Sequence, residues 1–175
     1  AFPHAHALCR RLRYPAGYVT LGGVLLGILG TVGGPITLFK GLNQMVQLVS
    51  ERESTASATL VLIVLVKIVA LVIAAAAGFR GGRIFPAIFI GVALGVLANS
   101  LLPGIPLGLA IAAGVLGVVL VVARDGWLAL FLAAAVSGDL ATLPILCVVV
   151  LPAWLIVRNA PEMIVHPAKA VEAIR

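Results

Sequence analysis

Apolar residues run in long blocks that polar residues interrupt only briefly. The blocks are Val19 to Leu38, Leu60 to Ala77, Ile84 to Leu102, Pro106 to Ala123 and Leu140 to Val157. A helix needs about 20 apolar residues to cross about 30 Å of hydrocarbon, and each block approaches that length. The pattern predicts an all-α, polytopic membrane protein. It does not predict a plain up-and-down bundle, because glycine and proline break the blocks at unequal intervals. Pro35 after Gly33-Gly34 is expected to stop the first helix before a full crossing. The amphipathic LFKGLNQMVQLV that follows reads as a short interfacial or re-entrant piece, and Trp127 to Val136 is too short to span alone.

The breaks carry their own start and stop signals. SERESTASAT is the best candidate for an aqueous loop, with Ser57 or Thr59 as the cap of the next helix. LLPGIP reads as a turn, and Pro106 can start a helix where its missing N–H does no harm. Asp139 in SGD is a plausible N-cap for the last long block. Glycines at Gly22, Gly23, Gly27, Gly30, Gly33 and Gly34, and the pair Gly91 and Gly95 in GVALG, predict helix faces that approach closely in lipid. Backbone exposed at broken helices is tolerated in a membrane only where protein or a water-filled cavity satisfies it, and in transporters such breaks mark the ion or substrate site.

Composition sharpens the class. Hydrophobic residues make up 62% of the chain and charged residues 10%, with a mean hydropathy of +1.22. The connections are too short for a soluble domain. Twelve basic against six acidic residues give a net charge of +6, most of it at block ends, including Arg10, Arg11, Arg13, Arg52, Arg80, Arg83, Arg124 and Arg158. These read as topology determinants and headgroup contacts; no basic face interleaved with aromatics points to nucleic acid. Cys9 and Cys147 suggest neither a disulfide nor a metal site. His4, His6 and His166 sit in tails, and no nucleophile–base pairing appears, so neither catalysis nor a cofactor is expected. The start at Ala1 suggests a fragment of a longer chain.

One interruption carries chemistry. In AAAAGFRGGRIFPAIFIG, Gly78, Gly81 and Gly82 supply conformational freedom and Pro86 suits a first helical turn. A helix beginning near Ile84 turns its free amides and positive end toward the glycine loop. That arrangement is an anion site, formed by Gly82, Arg83, Ile84, Phe85 and Pro86, with inward amides from Arg83, Ile84 and Phe85. Arg80 and Arg83 either concentrate anions at a vestibule or anchor the interface. Lys67, central in its block, costs about 2.5 to 3.5 kcal/mol on insertion scales. It is either an anion-pathway charge, like Arg80, or a lysine that snorkels or pairs with a carbonyl.

GGRIFPAIFIGVALG resembles the GxFxP signature of the CLC family of chloride channels and chloride/proton antiporters. AGVLGVVLVVARDGWLALFLAAAV and LPILCVVVLPAWLIV are similar to that family's later helices, and GFRGGRIFP looks closest to a bacterial ion-transport branch. The resemblance covers about Tyr18 to Val157. It implies an incomplete second inverted repeat of a CLC-type fold over residues 18–158, lacking that repeat's first helices, with 1–17 as an N-terminal tail or the remnant of a preceding segment and 159–175 as a C-terminal tail. It further implies chloride or another small anion as the partner, held at the amides of Arg83 and Ile84. By the same resemblance, a homodimer forms through Trp127–Val136 and Leu140–Val157, in the lipid bilayer of a bacterial inner membrane, with the C-terminal tail cytoplasmic. The chain departs from the family pattern at three points: Ile84 stands at the signature phenylalanine, Asp125-Gly126 replaces Ala-Pro, and RNAPEMIV lacks the inner-gate tyrosine. The family's GSGIP and GKEGP elements belong to the first repeat, so channel and antiporter both stay open. A non-conducting membrane scaffold or degenerate half-protein, and an unrelated carrier of an anionic solute, are the competing readings.

Overall fold

The computed structural model describes residues 15–37, 41–77, 79 and 81–160. Among them are seven α-helices and no strand. Helix α1 spans Pro15–Gly33, α2 Leu42–Ser50, α3 Ser57–Ala76, α4 Ile84–Leu101, α5 Leu107–Ala123, α6 Gly126–Ser137 and α7 Leu143–Arg158. Single 3-10 turns at Pro35–Thr37 and Leu140–Thr142 precede α2 and α7. Among the described residues three stretches are long and apolar enough to cross a membrane: Ser57–Ala76, Ile84–Leu101 and Leu140–Arg158. Val19–Gly33, Leu107–Ala123 and Gly126–Ser137 are apolar but shorter. The all-α membrane architecture of unequal helices is as the hydropathy pattern predicts.

Helix α4 is the centre of the packing. Its residues Ala87 to Ala93 are buried without exception, and its contact with α5 is the most extensive between any two helices. Glycine makes that contact possible. A Cβ on Gly91 would lie 2.5 Å from Val115 Cα, and one on Gly95 would collide with the Ile111 backbone. From this pair the helices extend as a row, with α3 and then α1 on one side and α6 and α7 on the other, while α2 rests on α4.

Helix α1 meets α3 through two of its glycines. A Cβ on Gly22 would lie 2.5 Å from Ala77 Cβ, and one on Gly33 2.8 Å from Val66 Cγ1. Gly23 and Gly27 meet nothing within 4 Å, so only part of the glycine-rich face is a packing face. α1 stops where expected: Gly34 takes a left-handed φ of 74°, a conformation that ends helices, and Pro35 opens the 3-10 turn. Outward apolar residues such as Val24, Leu65 and Ile156 remain exposed, which costs nothing where the solvent is hydrocarbon.

Several end signals differ from expectation. The N-cap of α3 is Ala56, with no side-chain hydrogen bond; Ser57 is already helical, and its hydroxyl lies 3.4 Å from Ser100 Oγ on α4. Asp139 does cap, but it caps the 3-10 turn, accepting from the Ala141 amide at 2.9 Å. Asp125 caps α6 by accepting from the amides of Trp127 and Leu128 at 3.0 and 3.1 Å, a role not among the start signals read from the sequence.

Arg124 corrects a second expectation. It does not reach out to headgroups. Its backbone sits at φ 58°, and its guanidinium donates to the carbonyl of Val157 at 2.7 Å and to those of Arg158 and Ala160. Carbonyls at the end of a helix have no intrahelical donor, and Arg124 supplies one to the end of α7.

Candidate functional site

The site builds outward from Lys67. Its position in the middle of α3 places the ammonium away from either helix end, and the residue is only 5% exposed. The Nζ lies over the ring of Phe89 on α4, 4.5 Å from its centroid, where the negative face of the ring offsets part of the charge. Phe89 is fully buried and is backed by Gly41, the N-cap of α2. Gly41 has a φ of 89°, and a Cβ there would lie 2.8 Å from Phe89 Cδ2. Lys67 therefore does not snorkel. Aromatic contact with Phe89 is part of what holds it inward.

Beside Lys67 is a cavity of about 250 Å3. Gly30 of α1, Thr37 of the 3-10 turn, Lys67, Ala70 and Ala74 of α3, and Pro86 of α4 border it. Lys67 is the one charged group among its described lining residues. The rest of the described wall is apolar apart from the Thr37 hydroxyl, which donates to the Gly34 carbonyl at 2.8 Å.

Helix α4 starts at Ile84, as the GGRIFP pattern predicts, with Arg83 as N-cap and no side-chain cap bond. The first intrahelical bond runs from the Ala87 amide to the Arg83 carbonyl at 3.2 Å. The amides of Ile84 and Phe85 precede it and have no intrahelical acceptor. Together they form the positive end of the helix.

The predicted residues divide accordingly. Lys67 and Pro86 share the cavity, whereas Gly82, Arg83, Ile84 and Phe85 do not line it. Ile84 and Phe85 turn exposed side chains outward, and Arg83 is half-buried. Gly78 and Arg80 lie outside the described residues. The glycine argument needs correction. Neither Gly81 nor Gly82 has a left-handed φ, and a Cβ on either would meet nothing within 4 Å. Near the site, the described glycines with a positive φ are Gly34, before the 3-10 turn, and Gly41, before α2. Thr37 and Phe89 were not legible as site residues, since nothing in their local sequence ties them to Lys67.

The exposed face of α6 and α7 forms a second feature. Trp127, Phe131 and Leu140 are 80%, 71% and 77% exposed and border an apolar hollow of about 690 Å3 with Cys147, a free thiol.

The sequence model described as voltage gated chloride channel matches residues 2–158, which takes in every helix from α1 to α7. The chain belongs to the voltage gated chloride channel family. Relatives include the "Putative ion-transport protein YfeO" of Escherichia coli O1:K1 / APEC, of strain UTI89 / UPEC and of O45:K1 strain S88. Each is 48% identical over 167 residues. Those alignments cover 95% of this chain but 40% of each relative, so the chain spans about two-fifths of the length of the curated relatives it matches. No solved structure matches it. Against the CLC pattern, the departure at Asp125 has a structural content: the carboxylate that replaces alanine is the cap of α6.

Proposed function

We propose that this chain forms one wall of a membrane pathway for chloride or another small anion, as the second inverted repeat of a CLC-type transport protein. The observation that carries the reading is the cavity shared by Lys67 and Pro86. It sets one buried cation beside the first turn of a helix whose leading amides have no intrahelical acceptor.

The division of labour follows from charge. Backbone amides of Arg83, Ile84 and Phe85 carry partial charges, so they bind an anion and release it. Gly82 is the turn before them. Lys67 supplies a full charge, tempered by Phe89, that draws an anion toward the first turn of α4, where Pro86 borders the same cavity. Family membership and the ion-transport names of the relatives support ion movement as the task. They also support a multi-pass setting in a bacterial inner membrane. The exposed Trp127, Phe131 and Leu140 face suits the homodimer contact through Trp127–Val136 and Leu140–Val157. Oxidative cross-linking at the native Cys147 on that face tests it, and cross-linking no faster than in detergent-dispersed monomer speaks against it.

Anion efflux from liposomes holding the full-length protein tests the pathway. Lys67→Met and Pro86→Ala are expected to slow chloride efflux while the protein remains folded. Efflux at the unaltered rate in both removes the cavity from the mechanism, and no efflux at all favours a scaffold.

A further inference from the structure

One stripe of α3 borders two cavities. Thr59 and Ile63 line a half-polar cavity of about 330 Å3 beside the loop at residues 51–56, and Val66, Lys67, Ala70 and Ala74 line the Lys67 cavity. Spacings of three and four residues keep these positions on one helical face, and at 1.5 Å per residue the stripe runs about 22 Å. The 3-10 turn crosses it. Pro35 and Ile36 face the outer cavity, and Thr37 faces the inner one.

The crossing is tight. A Cβ on Gly33 would lie 2.6 Å from Thr37 Oγ1 and 2.8 Å from Val66 Cγ1, and the Thr37 hydroxyl is tied to the Gly34 carbonyl. Outside the crossing the walls are half polar, with Gln44, Gln47, Thr55 and Thr59 in the lining and Glu51 as the one charged residue among the described lining residues. Gln47 Nε2 donates to the Glu51 carboxylate at 3.1 Å. Such a lining offers water the several polar partners it needs to reside there, and a carboxylate concentrates cations and depletes anions nearby.

We propose that the outer cavity is the aqueous mouth of the Lys67 cavity and that the contact of Gly33, Thr37 and Val66 is the barrier between them. Glu51 sets the sign of the ions the mouth admits, favouring cations and slowing anions from that side. The proposal rests on the reading of the Lys67 cavity as an ion site, and its test does not measure transport.

The test is thiol labelling of the full chain in liposomes, with Cys9→Ser and Cys147→Ser as background. Cationic trimethylammonium and anionic sulfonate methanethiosulfonates are the probes. Thr59→Cys is expected to react with both, faster with the cation, and Glu51→Gln is expected to level the two rates. Ala70→Cys, beyond the barrier, should react about tenfold more slowly, equivalent to about 1.4 kcal/mol in barrier height. Thr37→Ala should speed Ala70→Cys and leave Thr59→Cys unchanged; Ala74→Cys replaces Ala70→Cys if that variant does not fold. An inert Thr59→Cys, or an Ala70→Cys rate indifferent to Thr37→Ala, overturns the proposal. Labelling as expected together with absent anion efflux upholds the route and removes the transport reading instead.

Discussion

The ammonium of Lys67 lies 4.5 Å from the centre of the Phe89 ring, and the same side chain packs so closely on Gly41 that a Cβ there would lie 2.8 Å from Phe89 Cδ2. Helices α3 and α4 and the start of α2 therefore meet at one buried charge. A central lysine in a membrane helix is tolerated only with such compensation, and here an aromatic face supplies part of it.

Removing either side of this contact has a defined outcome. Desolvated cation–π contacts are worth about 2 kcal/mol, so Phe89→Leu should lower the thermal stability of the protein in detergent. The double variant with Lys67→Met should lose less than the sum of the two singles. Gly41→Ala adds left-handed strain of about 1 to 2 kcal/mol and pushes on Phe89, so it should destabilise as well. Additive losses in the cycle would show that the two residues do not act together.

Glycine substitutions separate packing from turn chemistry. Gly91→Ala places a methyl group against the backbone of Val115, which cannot give way as a side chain could. Overpacking of this kind costs about 1 to 3 kcal/mol, and Gly114→Ala, which would meet the Gly91 carbonyl, should behave alike. Gly81→Ala and Gly82→Ala meet open space and should leave the melting temperature unchanged. Equal melting shifts in both groups would contradict the assigned geometry.

Arg124 links the corner between α5 and α6 to the end of α7. Replacing it with Gln removes a charged donor from the carbonyls of Val157, Arg158 and Ala160, a loss of about 1 to 3 kcal/mol. Hydrogen exchange at residues 155–160 should quicken, while exchange in α4 stays slow. Asp125→Ala should loosen the start of α6 by about 1 kcal/mol through its lost cap. Unchanged exchange at the end of α7 in Arg124→Gln would refute the capping role.

Much of the fold was legible from one-dimensional signals. Block length placed α3, α4 and α5, Gly33-Gly34-Pro35 ended α1, and GGRIFP started α4 at Ile84, because each depends on backbone freedom and apolar length within a few residues. Gly91 and Gly95 were readable as a packing face for the same reason. The roles of Arg124 and Phe89 were not, since their partners lie at Val157 and Lys67, far along the chain.

The sequence by itself determined that the chain is an apolar, broken-helix membrane protein with a helix start at Ile84, for these follow from hydrophobicity and from the stereochemistry of glycine and proline. Only the tertiary structure decided that Lys67 turns inward onto Phe89 and shares a cavity with Pro86. It also moved the requirement for glycine from Gly81 and Gly82 to Gly34 and Gly41. A charge in a helix can face lipid, protein or water with the same local sequence, and packing between helices selects among them.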